Sequence, residues 1–97
     1  MRLEVSCQPT ADGWSCRVRV GDDEAATRHE VAVGTGDLQR LAPRDEDPTD
    51  LVRASFAFLL EREPRESILR RFDLRDIGRY FPEWETQIRR PAPPADG

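Results

Sequence analysis

Apolar and polar residues alternate from the start of the chain. Leu3, Val5 and Cys7 fall on one side and Arg2, Glu4, Ser6 and Gln8 on the other, the period of a half-buried strand. Pro9-Thr10-Ala11-Asp12-Gly13 supplies turn chemistry ending in an Asp-Gly pair, which tolerates positive φ. Alternation then resumes, with Trp14, Cys16, Val18 and Val20 pointing inward and Ser15, Arg17 and Arg19 outward. After the polar turn Gly21-Asp22-Asp23-Glu24, His29, Val31 and Val33 share a face opposite Arg28 and Glu30. The pattern predicts a three-stranded antiparallel meander over residues 2–8, 14–20 and 25–33, with one wet face.

Such a sheet leaves its apolar side in water, so the rest of the chain must cover it. The period changes to helical near Thr35. Thr35-Gly36-Asp37 offers a start for a short helix through Leu38 and Leu41, stopped by Pro43. Asp47 as N-cap, Pro48 in the first turn and Asp50 behind it open the longest predicted helix, residues 48–62. Leu51, Val52, Ser55, Phe56, Phe58, Leu59 and Leu60 form its apolar face. Pro64 ends or bends it. A short helix from Pro64 or Arg65 to Arg71 is expected to project Ile68, Leu69 and Phe72. Asp73, with Asp76 three residues on, caps another that carries Leu74, Ile77, Tyr80 and Phe81. Pro82 opens a last turn with Trp84 and Ile88. The fold class is α+β: a meander followed by three or four helices, in one domain over residues 1–90. Residues 91–97, rich in Pro and Ala, have no large apolar side chains to offset ordering entropy and are expected to be a disordered tail.

Phe58-Leu59-Leu60-Glu61-Arg62-Glu63-Pro64, Ser67-Ile68-Leu69-Arg70-Arg71-Phe72-Asp73-Leu74, Ile77 and Tyr80-Phe81-Pro82-Glu83 together resemble a pattern shared by short bacterial proteins with no known activity. The likeness spans roughly residues 51–88. More loosely, Gly13 to Cys16 of the preceding sheet resembles the same group. The resemblance implies a small bacterial protein and brings no catalytic or binding residue with it.

Ninety-seven residues suffice for one core. All 15 basic residues are Arg, none is Lys, and Asn is missing. Lys and Asn have AT-rich codons, so the Arg excess reflects a GC-rich genome before it reflects a ligand. Nineteen acids give a net charge of -4, which opposes non-specific attraction to a polyanion. The longest apolar run, Phe56 to Leu60, falls far short of the roughly 20 residues a membrane-spanning helix needs. Met1 to Ser6 contain no apolar leader. These features read as a cytosolic chain.

Cys7 and Cys16 would lie opposite each other on adjacent strands, within disulfide reach. In a cytosolic chain the expectation is two free, core-facing thiols. With His29 they fall one ligand short of a structural zinc site. His29 is the single imidazole and the candidate base of an enzyme reading, but Ser6 and Ser15 fall on the wet face and Ser55 and Ser67 among helical positions, so no triad forms by spacing. Gly34-Thr35-Gly36 lacks the other glycines and the Lys of a phosphate loop. No catalytic residue, metal or cofactor is therefore expected.

Two surfaces remain. Residues 65–79 hold five Arg against three acids, an Arg-rich helical face that is the nucleic-acid alternative, disfavoured by the overall charge. The C-terminal aromatics interleave with those arginines, and Arg71, Arg75, Arg79, Tyr80, Phe81 and Trp84 form the candidate interaction surface, because Arg and aromatic residues dominate interface energetics. The sequence thus points to a non-catalytic protein-binding or accessory module that takes a protein partner or pairs with itself.

Overall fold

The structure, a computed structural model, describes residues 2–22 and 24–88. The alternating segments form strands β1 (Leu3–Pro9), β2 (Gly13–Val20) and β3 (Thr27–Gly34). They pair antiparallel in register Val5 with Val18 and Val18 with His29, so the inward residues of all three stack into one face. Cys16, Val18, Val20, Val31 and Val33 on that face are buried, whereas Trp14 is only half-buried at its edge. At the β2–β3 turn Gly21 adopts φ +102°, a left-handed conformation suited to glycine, and its N–H donates to the Arg2 carbonyl at 2.7 Å.

Helix α1 (Thr35–Leu41) buries Leu38 and Leu41. Helix α2 (Thr49–Leu60) buries Leu51, Val52, Ser55, Phe56, Phe58 and Leu59. Asp47 accepts a hydrogen bond from the Thr49 N–H at 2.9 Å, so the expected cap acts one residue further from the helix body, with Pro48 between. The Thr49 hydroxyl first, and its N–H second, hold the Asp47 carboxyl below its ordinary range by hydrogen bonding to it.

The chain then departs from expectation. The helix predicted for residues 64–71 is absent: a single 3-10 turn, Arg65–Ser67, gives way to extended Ile68 (φ -76°, ψ 131°). A fourth strand follows, β4 (Arg71–Asp73), pairing parallel with β3 as Glu30 with Arg71 and Val31 with Phe72. The meander is thus three strands of a four-stranded mixed sheet of order β1-β2-β3-β4. Backbone pairing explains the difference. The outer edge of β3 carries donors and acceptors that need partners. Arg70 supplies one, its carbonyl accepting from the Glu30 N–H at 2.7 Å. The two intervening helices are the crossover a parallel strand requires.

The Asp73–Asp76 capping box forms as predicted: Arg75 N–H donates to Asp73 at 3.1 Å and Asp73 N–H to Asp76 at 3.2 Å. It starts a 3-10 turn, Leu74–Asp76, that runs into α3 (Ile77–Tyr80). Helix α4 (Trp84–Ile88) closes the described chain and buries Trp84 and Ile88. Trp84 is 1% exposed beside α2, and its indole N–H donates to Ser55 Oγ at 3.1 Å. Ser55 in turn donates to the Leu51 carbonyl at 2.8 Å, so each of these buried polar groups has a partner. The architecture is α+β, with helices packed on one face of the sheet. Among the described residues no helix is long and apolar enough to cross a membrane. The expected tail, residues 91–97, lies outside the described residues.

Candidate functional site

Cys7 and Cys16 are register partners and are joined by a disulfide, in place of the two free thiols expected. The alternation of β1 and β2 turns both side chains to the core side at the same level, so the sulfurs meet with no backbone rearrangement. Neither sulfur is a free thiol that could serve as nucleophile or metal ligand.

His29 is 4% exposed on the core face of β3. Its Nδ1 lies 2.8 Å from the Leu69 carbonyl and its Nε2 2.8 Å from Thr27 Oγ1. A carbonyl only accepts, so Nδ1 carries the hydrogen, and Nε2 of the neutral ring accepts from the Thr27 hydroxyl. The ring also tilts against Phe56 at 5.3 Å. Burial pushes the imidazole below its ordinary pKa of 6.5; the Leu69 carbonyl works against this, and the charge of Arg70 adds to it. Both nitrogens are therefore committed inside the fold. The ring ties β3 to the segment leading into β4, a positioning task. Among the described residues no group of three or more His, Cys, Asp or Glu side chains is arranged to hold a metal ion.

The six residues of the predicted interaction surface do not share one surface. Trp84 is buried against α2. Phe81 is half-buried, edge-on to Phe58 at 5.7 Å. Arg71 stands on the sheet, 3.1 Å from Glu30, while Arg75 faces Asp73 at 3.6 Å and Arg79 faces Asp76 at 3.9 Å. Tyr80 alone of the aromatics is open to solvent, 71% exposed.

Tyr80 and Phe81 nevertheless belong to a site. Together with Leu69 they line a groove of about 280 Å³ into which Ile68, Phe72 and Ile77 also face. Leu69 is 57% exposed, a position that its helical spacing in the sequence does not predict. Once Ile68 is extended, alternation buries Ile68 and turns Leu69 outward. Two large apolar side chains thus stand in water beside an apolar hollow. Glu63, Ser67 and Asp76 add polar atoms to its lining.

Comparison of the chain with protein-family models, curated proteins and solved structures finds no match. The likeness of residues 51–88 to short bacterial proteins therefore assigns no family, and function has to be argued from the surfaces themselves.

Proposed function

We propose that the chain is a non-catalytic protein-binding module that works through the Leu69–Tyr80 groove and takes a second copy of itself as occupant. The observation that carries this reading is self-complementarity: protruding Leu69 and Tyr80 flank a hollow lined by Ile68, Phe72, Ile77 and Phe81. A two-fold contact uses the same patch twice, so each copy offers the knobs the other's hollow accepts. Fully burying a Leu or an aromatic side chain contributes about 1.5–3 kcal/mol. Association itself costs at least about 4 kcal/mol. Four such side chains contribute about 6–12 kcal/mol and leave at most about 2–8 kcal/mol; the proposed dimer sits in the stronger part of that range, with a dissociation constant between about 1 μM and 1 mM.

The other readings have less support. Over residues 65–79, Arg65, Arg71, Arg75 and Arg79 each face a carboxylate, leaving little free charge there for nucleic acid. An enzyme built on His29 would have to expose a buried ring whose nitrogens are both bonded. The proposal keeps the cytosolic placement read from the sequence. Because glutathione reduces accessible cytosolic disulfides, that placement requires a shielded bond; Cys16 is 0% exposed and Cys7 is partly buried.

Sedimentation velocity from tens of micromolar to about one millimolar tests the proposal. The parent chain should show a concentration-dependent dimer, and Leu69→Ser and Tyr80→Ser should each weaken it without loss of fold, since both side chains are exposed. A monomer across the whole range, or variants that associate like the parent, would remove the reading.

A further inference from the structure

Opposite the helices, the other face of the sheet carries the polar halves of its strands, and register gathers arginines there. Arg19 of β2 stands between Glu4 of β1 and Arg28 of β3; Arg17 stands between Ser6 and Glu30, and Glu30 pairs onward with Arg71 of β4. With Arg70, these residues line a concavity of about 690 Å³. Arg17, Arg19, Arg28, Arg70 and Arg71 against Glu4 and Glu30 leave an excess of three positive charges, on a chain whose net charge is -4.

The carboxylates do not neutralise that excess. Glu4 is engaged by Arg2 at 3.2 Å and Glu30 by Arg71 at 3.1 Å. Arg40, Arg62, Arg65, Arg75 and Arg79, elsewhere on the protein, also sit beside carboxylates. Among the described residues Arg17, Arg19, Arg28 and Arg70 have none, and all four line this one concavity; the remaining two, Arg44 and Arg53, lie outside it. Arg19 and Arg28 are direct cross-strand partners, a like-charge opposition that disfavours the sheet unless an anion lies between them. Arg19 Nε is also buried without a hydrogen-bond partner, an unusual state for a charged donor.

We propose that this face binds a compact oligophosphate, a soluble ligand carrying several phosphate charges. Guanidinium forks match phosphate oxygens bidentately. Alternate residues along a strand are about 6.5 Å apart and opposed residues about 5 Å, so the four arginines can engage adjoining phosphates of one molecule. The volume lies in the range of small-ligand sites. No Phe, Tyr or Trp lines the concavity, so it has no platform for stacking bases as single-stranded nucleic acids require. The acidic remainder of the chain repels a polyanion long enough to run past this face.

Calorimetric titration of the full chain with inorganic tripolyphosphate tests the site. Binding should be one-to-one and weaken steeply with added salt. The double variant Arg19→Gln/Arg28→Gln should lose at least about tenfold in affinity. Its unliganded Tm should not fall, because the substitutions remove a repulsion. Arg75→Gln, outside the concavity, should bind like the parent. Absence of binding would overturn the proposal, as would equal loss in Arg75→Gln. Tighter binding of a single-stranded oligonucleotide or of anionic phospholipid vesicles than of tripolyphosphate would also overturn it, assigning the face to a polynucleotide or a membrane surface.

Discussion

Ser55→Ala probes how the helical layer is locked to itself. In the parent, Ser55 Oγ accepts the Trp84 indole N–H at 3.1 Å and donates to the Leu51 carbonyl at 2.8 Å, with Ser55 0% and Trp84 1% exposed. Alanine removes the acceptor and leaves the indole N–H buried without a partner, a loss of about 1–3 kcal/mol. The Leu51 carbonyl keeps its place in the backbone ladder of the helix, and the better helix propensity of alanine returns about 0.5 kcal/mol. The net loss is about 0.5–2.5 kcal/mol, and each kcal/mol lowers Tm by about 4–8 °C in a domain of this size. Urea unfolding followed by far-ultraviolet circular dichroism measures it without interference from Trp14. Trp84→Phe removes the donor and leaves a cavity, so it should cost more on its own. In Ser55→Ala/Trp84→Phe no orphaned N–H remains, and the double variant should be more stable than the sum of the single losses predicts by about 1 kcal/mol. A Ser55→Ala variant within about 0.3 kcal/mol of the parent, or strict additivity, would refute the argument.

Other outcomes follow from the same structure. Thiol titration of denatured, unreduced protein should find no free Cys7 or Cys16, and Cys7→Ser/Cys16→Ser should cost about 2–3 kcal/mol in urea unfolding, as expected for a bridge closing a short loop. Because His29 is held below 6.5 in the fold, the unfolded chain takes up the proton more readily; the stability present above that value is lost as pH falls through it. Tm should therefore drop as pH falls below about 6.5, and His29→Gln should flatten the drop. Gly21→Ala forces a side chain into φ +102° and should lower stability by about 1 kcal/mol or more in the same unfolding assay.

Where short-range pattern decides structure, the sequence was readable. Period-two alternation located β1 to β3, and Asp47-Pro48 and the Asp73–Asp76 box marked helix starts because capping depends on neighbouring residues. β4 left no such trace. Ile68, Leu69 and Phe72 have helical spacing, and what makes residues 71–73 a strand is a backbone edge some forty positions earlier in the chain. The same error concealed the groove, since Leu69 points outward only once Ile68 is extended. Nothing near Trp84 in the sequence marks it as buried, because its partner Ser55 lies 29 residues away. Counting charge by stretch drew attention to residues 65–79, whose arginines are largely matched locally. Arg17, Arg19 and Arg28 become a cluster only across strands, when register is known. The disulfide is within geometric reach in the sequence, but register decides it where compartment predicts free thiols.

Dilution of the parent chain from about one millimolar to tens of micromolar, followed by methyl NMR, tests the proposed pairing residue by residue. The account predicts concentration-dependent shifts at Leu69, Ile68 and Ile77 around the groove, with Val18, Val20 and Val31 in the sheet core unmoved. Spectra that stay the same on dilution, or shifts that leave the Leu69 methyls untouched, would contradict it.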